Sequence, residues 1–75
     1  MPFDAELDAR GLLCPIPILK TRFALDELSS GEVLKVLSTD AGSTRDMEAF
    51  ARQTGHELLA SGVNDDVYVF YLRKA

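Results

Sequence analysis

The hydrophobic pattern of the chain changes repeatedly between the spacing of a β-strand and that of an α-helix, and this alternation restricts its possible folds. Over residues 3–9 apolar and acidic residues alternate with a period of two, which predicts a half-buried strand with Phe3 and the other odd-numbered residues on one face. Residues 32–39 are rich in valine and leucine and predict a second strand. The remaining two predicted strands, separated by a tight Asn-Asp-Asp turn, are residues 56–63 and 67–73.

Two helices are predicted between these strands. The first is expected over residues 15–28, because Pro15 and Pro17 suit a first helical turn, where the N–H that proline lacks would be unpaired anyway. The second is expected to begin with Ser43 as its N-cap and to end at Gly55. The residues expected to face the core are Ile18, Thr21, Leu25 and Leu28 in the first helix, and Met47, Phe50, Ala51 and Thr54 in the second.

The order of these elements, β-α-β-α-β-β, predicts an α+β fold. Helical crossovers favour parallel pairing of the early strands through right-handed connections, whereas the short last turn favours antiparallel pairing. The simplest arrangement is a two-layer α/β sandwich, in which a mixed four-stranded sheet carries both helices on one face. With 75 residues, the chain is expected to form one domain spanning residues 1–75.

Composition and charge argue against several classes of protein. Hydrophobic residues make up 47% and charged residues 27% of the chain, as in soluble globular domains. The net charge of −4 opposes direct, tight binding to the phosphates of DNA or RNA. The longest apolar stretch, residues 11–19, is short and contains two prolines, so it is not expected to span a membrane. The N-terminus lacks a secretory pattern, and together with one unpaired cysteine this indicates a cytoplasmic protein.

Cys14 is the only cysteine, and it immediately precedes the predicted first helix. The loops that leave the carboxyl ends of the first two strands, residues 10–14 and 40–43, converge at one edge of the sheet if those strands are parallel. The partial positive charge of the helix N-terminus is then expected to lower the pKa of the Cys14 thiol, with Lys20 and Arg22 adding positive potential. The alternative is that Cys14 is a small buried apolar residue.

The stretch from 7 to 17, Leu-Asp-Ala-Arg-Gly-Leu-Leu-Cys-Pro-Ile-Pro, contains the motif Cys-Pro-x-Pro at the predicted start of the first helix. A Gly-Glu pair precedes the second strand, Asp40 ends it, Ser-Thr-Arg-Asp at 43–46 opens the second helix, and Tyr-Leu-Arg-Lys at 71–74 ends the last strand. This pattern resembles the TusA/SirA-like sulfur carrier family over nearly the whole chain. The resemblance implies a two-layer sandwich like the C-terminal domain of a bacterial translation initiation factor.

The same resemblance implies a sulfurtransferase that carries sulfur as a persulfide on Cys14, and the sequence shows no metal-ligand spacing or cofactor motif. The implied donor is a cysteine desulfurase or a rhodanese-type protein, and the implied acceptor is a downstream sulfur-acceptor protein. Family members supply sulfur for tRNA 2-thiouridine synthesis, molybdenum cofactor assembly or sulfur oxidation. Because the sulfur passes through an acceptor protein, tRNA is expected to be reached only indirectly. Ile16 stands where several members carry an acid, and Phe-Ala-Arg at 50–52 stands where some members carry a second cysteine. These two differences leave the identity of the partner protein open.

The first helix also carries candidates for positioning the sulfur and for contacting a partner. The two prolines of the motif are expected to fix the backbone behind Cys14. Ile16, Leu19 and Phe23 form a second apolar patch, away from the core stripe. This patch is expected either to dock a donor or acceptor protein beside the sulfur or, equally well, to pack against the second helix.

Polar residues elsewhere are assigned smaller roles. Arg45 is expected on the same edge as Cys14, where it would meet an acidic partner or an RNA phosphate, or simply remain solvated. Asp46 is expected to serve the helix start and Asp40 the loop before it. His56, the only histidine, is assigned no role.

Two functions of other classes remain open from the sequence. One is a non-catalytic, regulatory protein-binding module of the SirA-like type, whose activity would survive loss of the sulfur atom of Cys14. The other is an RNA-binding domain, raised by the fold analogy with a translation factor and disfavoured by the acidic charge.

Overall fold

The computed structural model describes residues 1–75, and its elements follow the predicted order. In chain order they are β1 (Ala5–Ala9), α1 (Ile16–Asp26), β2 (Val33–Ser38), α2 (Ser43–Thr54), β3 (Glu57–Asn64) and β4 (Val67–Arg73). The strands form one mixed sheet in the order β1-β2-β4-β3. β1 runs parallel to β2, and β4 is antiparallel to both of its neighbours. The predicted fold class, an α+β sandwich with a mixed four-stranded sheet and two helices, is confirmed.

One face of the sheet packs against both helices and forms the core. Buried and half-buried residues alternate along β2, as expected for a strand with one covered face. The core cluster consists of Leu34 and Val36 from β2, Phe70 and Leu72 from β4, Leu25 from α1, and Met47 and Phe50 from α2. Because the single cysteine is free, apolar packing takes the place of a disulfide in holding the layers together.

α1 buries the face that the sequence predicts. Thr21 and Leu25 are fully buried, and Ile18 and Leu28 are partly buried against the core. The Thr21 hydroxyl donates a hydrogen bond of 2.8 Å to the carbonyl oxygen of Pro17, so the buried polar atom is paired. The helix therefore fits the core with one threonine among its apolar contacts.

Both ends of α1 differ from the prediction. The helix begins at Ile16, with Pro15 as its N-cap, and ends at Asp26 rather than at residue 28. At the C-terminal end, Lys74 Nζ donates a hydrogen bond of 2.8 Å to the carbonyl oxygen of Leu25. A cation is favourable at this end of a helix, so Lys74, which follows β4, stabilises the end of α1 and connects it to the sheet.

The N-cap of α2 is Gly42, and the prediction that Ser43 fills this position is wrong. Ser43 is the first helical residue, and its buried hydroxyl lies 2.6 Å from the Ser38 hydroxyl at the end of β2. The serine side chain is therefore bonded to the sheet and does not cap the helix.

The buried stripe of α2 is shorter than predicted. Met47 and Phe50 are buried, Ala51 is half-buried, and Thr54 is exposed. Thr54 Oγ1 donates a hydrogen bond of 2.7 Å to the Phe50 carbonyl oxygen, which satisfies the hydroxyl within the last turn. Gly55 ends the helix as predicted, at a φ of 82°, the left-handed conformation that glycine adopts most readily.

Phe3 lies outside β1, so the prediction that the strand begins at residue 3, with Phe3 on the same face as the other odd-numbered residues, is wrong. The strand begins at Ala5, and the Phe3 ring instead approaches Tyr71, with 6.4 Å between ring centroids, on the face opposite the helices. Lys35 Nζ lies 5.2 Å from the centre of the Phe3 ring, a favourable arrangement for a cation over an aromatic face. Tyr68 packs against the core, so the two tyrosines of β4 lie on opposite faces of the sheet.

β3 and β4 form a hairpin that is closed by Asp65 and Asp66. Both residues have positive φ values, 50° and 65°, as in the two-residue turns that match the twist of paired strands. β4 has the predicted bounds, whereas β3 begins one residue later than predicted and leaves His56 outside the strand.

Candidate functional site

The loops after β1 and β2 lie side by side at the carboxyl edge of the parallel strand pair. The two strands remain paired up to their last residues, so both loops leave the sheet together. The Gly11 N–H donates a hydrogen bond of 2.9 Å to Thr39 Oγ1. The Cys14 N–H donates a hydrogen bond of 2.6 Å to Asp40 Oδ2. The predicted convergence of these loops is confirmed.

Asp40 anchors the loop that carries the cysteine. Its carboxylate accepts the Cys14 N–H at Oδ2 and the Gly42 N–H at Oδ1, the latter at 3.0 Å. These two bonds hold the pKa of Asp40 below its usual range, and the bond from Gly42 has the larger effect. The sequence indicates only a loop-forming role for Asp40. Its position at the end of β2, next to the cysteine loop of a parallel strand pair, could have predicted a contact with that loop.

Cys14 is exposed and free, directly before α1. The Cys14–Pro15 peptide bond is cis, and the Ile16 N–H closes a turn onto the Leu13 carbonyl oxygen at 2.9 Å. Pro17 is buried in the first turn of α1. The alternative that Cys14 is a buried apolar residue is therefore wrong. A reactant has direct access to the sulfur.

The thiol of Cys14 is electrostatically different from the prediction. A hydrogen bond with Asp46, then partial desolvation and the negative charges of Asp46 and Asp40, raise the pKa of Cys14 above its ordinary value. A helix N-terminus favours a thiolate, but α2 packs beside α1 and brings its acidic first turn to the sulfur. Neither Lys20 nor Arg22 forms an ion pair in this structure.

Two open grooves flank the sulfur. The first, called here the helix groove, has a volume of about 310 Å³ and lies between α1 and α2; its lining includes Leu19, Arg22 and Phe50. The second, called here the loop groove, has a volume of about 490 Å³ and lies over the β2–α2 loop; its lining includes Arg45. Cys14 and Asp46 line both grooves. Arg45 therefore lies on the same edge as Cys14.

Apolar side chains surround the approach to the sulfur on the α1 side. Ile16, Leu19 and Phe23 are all exposed, and Phe23 is 65% exposed. Leu13, which the sequence does not single out, is 74% exposed in the loop next to Cys14. Together these four residues are called here the apolar patch. Packing against α2, the alternative left open by the sequence, does not cover them, although Leu19 lines the helix groove.

Other chemistry is not assembled at this edge. No group of three or more His, Cys, Asp or Glu side chains is placed to hold a metal ion. His56 lies against Phe50, with 5.9 Å between ring centroids, and its Nδ1 accepts the Ala75 N–H at 3.0 Å. These are structural contacts of the chain terminus. No helix is both long and apolar enough to cross a membrane.

These features define a class of protein: a small α/β sandwich whose one cysteine stands exposed where a parallel strand pair meets the helix layer. Comparison with known families makes the class specific. The family model described as "Sulfurtransferase TusA" matches residues 5–74, and the chain belongs to this family.

Individual relatives agree over the full length of the chain. "Sulfur carrier protein TusA" of Allochromatium vinosum is 49% identical over 73 residues, 97% of this chain and 96% of the relative. "Putative sulfur carrier protein YrkI" of Bacillus subtilis is 42% identical over 74 residues, 99% of each chain. A crystal structure of a SirA-like protein from Desulfitobacterium hafniense matches with a TM-score of 0.82 at 26% identity, covering 93% of this chain and 96% of the other. The resemblance inferred from the sequence is confirmed.

Proposed function

We propose that this protein is a sulfur carrier, in which Cys14 accepts sulfane sulfur as a persulfide and passes it to a partner protein. The observation that carries the proposal is the free, exposed cysteine at the end of the β1–α1 loop, which is hydrogen-bonded to the loop after β2. The names of the relatives from Allochromatium vinosum and Bacillus subtilis support it, since the first is called a sulfur carrier protein and the second a putative one.

The transfer consists of two thiol exchange steps. In the first, the Cys14 sulfur attacks the outer sulfur of a donor persulfide. A bond forms between those two sulfurs, the S–S bond of the donor breaks, and the donor thiolate takes up the proton that Cys14 loses. In the second, an acceptor cysteine attacks the outer sulfur, and Cys14 leaves as a thiol. The sulfur moves at one oxidation level, so the exchange needs no external oxidant or reductant.

Donor and acceptor proteins dock on the surface around the sulfur. The apolar patch lies along α1 and in the loop next to Cys14, and exposed apolar side chains in a cluster favour burial against a partner. Arg45 borders the loop groove and is placed to meet an acidic group of that partner. Pro15 fixes the chain between the sulfur and α1, and Pro17 fixes the first turn of α1, so that docking on the helix sets the position of the thiol.

The donor class in this proposal is a cysteine desulfurase or a rhodanese-type protein. The sulfur continues to tRNA 2-thiouridine synthesis or to another sulfur-trafficking pathway through an acceptor protein, with tRNA reached indirectly. A free thiol is maintained in a reducing compartment, which supports a cytoplasmic site of action.

Persulfide loading tests the proposal directly. Incubation of the protein with a cysteine desulfurase and cysteine is expected to add the mass of one sulfur atom, which dithiothreitol then removes. Cys14→Ser is expected to fold with the same circular dichroism spectrum and to gain no mass. Retention of the added sulfur by Cys14→Ser, or its absence from the wild type with every donor class named above, would overturn the proposal.

A further inference from the structure

Asp46 is placed to act on the sulfur of Cys14. It lies in the first turn of α2, where its N–H donates to the Gly42 carbonyl oxygen at 3.1 Å. Its half-buried side chain borders both grooves together with Cys14 and forms no ion pair. The carboxylate thus lies beside the thiol, and its interaction with the thiol is the first of the causes that raise the pKa of Cys14. Asp46 is therefore a charged partner of the thiol that no cation of the chain neutralises.

Asp40 brings a second carboxylate to the same place. A Cβ atom built on Gly42 would lie 3.5 Å from Asp40 Oδ1 and 4.0 Å from Asp46 Oδ2, so both carboxylates adjoin this glycine. Asp40 is bonded to the backbone of the cysteine loop and cannot turn away without releasing it. The two acids therefore form a fixed negative cluster beside the sulfur.

The other charged groups around the sulfur do not cancel this cluster. From α2, Arg45 and Glu48 border the loop groove, and from α1, Arg22 borders the helix groove. None of these three residues belongs to an ion pair with Asp40 or Asp46. The charges that act on the thiol are therefore those of Asp46 and Asp40, and they disfavour a negative sulfur until a further cation approaches.

We propose that Asp46 is a positioning residue that keeps the Cys14 thiol protonated in the free protein, and that the reactive anion forms when a partner places a cationic side chain against Asp46. This inference rests on the proposed function, since it concerns the control of the same sulfur. It specifies the partner's chemistry: a lysine or arginine beside the reacting sulfur of the donor or acceptor. The proton released from Cys14 is taken up by the donor thiolate in the exchange described above.

Such control limits side reactions of an exposed cysteine. A protonated thiol is a poor nucleophile toward disulfides and oxidants, and only the thiolate reacts at a useful rate. A partner cation would pair with Asp46, weaken its hydrogen bond to the thiol and stabilise the sulfur anion at the moment of transfer. Activation then coincides with docking.

The pH dependence of Cys14 alkylation by iodoacetamide, a neutral reagent, tests the role of Asp46. In Asp46→Asn the midpoint of the rate profile is expected to move to lower pH. A tenfold gain in thiolate, partly offset by weaker intrinsic nucleophilicity, corresponds to about threefold faster alkylation at neutral pH. Asp46→Glu, which keeps the charge, is expected to retain the high midpoint. Asp26→Asn, the same charge change at the other end of α1, is expected to leave it unmoved.

Charged disulfides test the requirement for a cation. Cystamine carries ammonium groups and dithiodiglycolate carries carboxylates, and each forms a mixed disulfide with Cys14 by releasing one thiol. The wild type is expected to react faster with cystamine, and Asp46→Asn is expected to lose about fivefold of that preference, as for removal of one nearby charge at low salt.

The outcomes separate this inference from the proposed function. An unmoved alkylation midpoint in a folded Asp46→Asn, or an unchanged preference between the two disulfides, overturns the role of Asp46 whether or not the wild type loads sulfur. A wild type that never gains sulfur overturns the carrier proposal, while the alkylation profile still reports on the thiol.

Discussion

Ser38 and Ser43 share a buried hydrogen bond, with 2.6 Å between their hydroxyl oxygens, beneath the loop that presents Asp40. The Asp40 N–H also donates to Ser38 Oγ at 3.2 Å. A continuous series of hydrogen bonds therefore leads from the end of β2, through Asp40, to the backbone of Cys14. The loop that carries the sulfur is thus connected to a polar pair in the core.

The two serines are expected to be energetically coupled, so that the double variant loses less stability than the two single variants together. Ser38→Ala leaves the Ser43 hydroxyl buried without its partner, at a cost of about 1–3 kcal/mol in the free energy of unfolding. Ser43→Ala is expected to cost less, because the Ser38 hydroxyl still accepts the Asp40 N–H. The double variant buries no orphaned hydroxyl, so its cost is expected to be smaller than the sum. Urea unfolding of the four proteins measures this coupling, and additive costs would contradict it.

The Asp40 carboxylate is expected to stabilise the protein at neutral pH, to lose this effect in acid, and to position the loop that carries the sulfur. Its pKa is lowered in the folded protein by the N–H groups of Gly42 and Cys14. The folded state therefore binds fewer protons there than the unfolded state, so this contribution is present above a pH of about 4 and is lost on acidification. Asp40→Asn is expected to unfold more readily than the wild type at neutral pH, with a difference that narrows in acid.

Glu27→Gln is the control for this prediction, because it removes the same charge from an exposed carboxylate that accepts no hydrogen bond. Chemical unfolding of the wild type and both variants across the acid range provides the measurement. A difference between wild type and Asp40→Asn that stays constant down to the lowest pH would argue against a lowered pKa. Slower persulfide loading by a folded Asp40→Asn would link the same carboxylate to sulfur placement.

The sequence predicts the order of elements well because hydrophobic period and turn residues are local properties. The bounds of β4 and the C-terminal stop at Gly55 depend only on neighbouring residues. The convergence of the two loops also follows, since it needs only a parallel first strand pair. Features of the structure that depend on neighbouring residues can thus be predicted from the sequence.

The errors arise where a distant residue takes over a side chain. Ser43 is a good N-cap by type, but Ser38 binds its hydroxyl. Phe3 continues an alternating pattern, but its ring approaches Tyr71 on the other face of the sheet. The thiol of Cys14 stands at a helix start that favours its anion, yet an acid from α2 reverses the effect. Each error is a tertiary contact that periodicity does not contain.

The apolar patch on α1 is expected to matter for transfer and not for folding. Phe23→Lys changes a side chain that is 65% exposed, so the free energy of unfolding is expected to change by about 0.5 kcal/mol or less. Sulfur uptake from a donor protein is expected to slow, because a lysine opposes burial against an apolar partner surface. Val63→Lys, at a residue that is 63% exposed on β3, is the control. Equal loading rates for both variants would argue against docking on α1.

Leu19→Asn provides a second test of the same surface. Leu19 lines the helix groove beside Cys14, and asparagine makes this position polar without placing a cation near Asp46. If the patch docks both partners, this variant is expected to slow transfer from the donor and to the acceptor with an unchanged circular dichroism spectrum. Unchanged rates of both steps in the folded variant would remove the patch from the proposal.

The pKa of His56 makes stability depend on pH near neutrality. Partial desolvation, then the charge of Lys74, lower the pKa of His56 in the folded protein, and Asp26 opposes the shift. The unfolded state therefore binds more protons than the folded state below a pH of about 6.5, and stability falls as the pH drops through that range. His56→Gln removes the titration, so its free energy of unfolding is expected to vary less with pH between weakly acidic and neutral solution. Because His56 is the only histidine, an equally steep dependence in the variant would mean that another group titrates there.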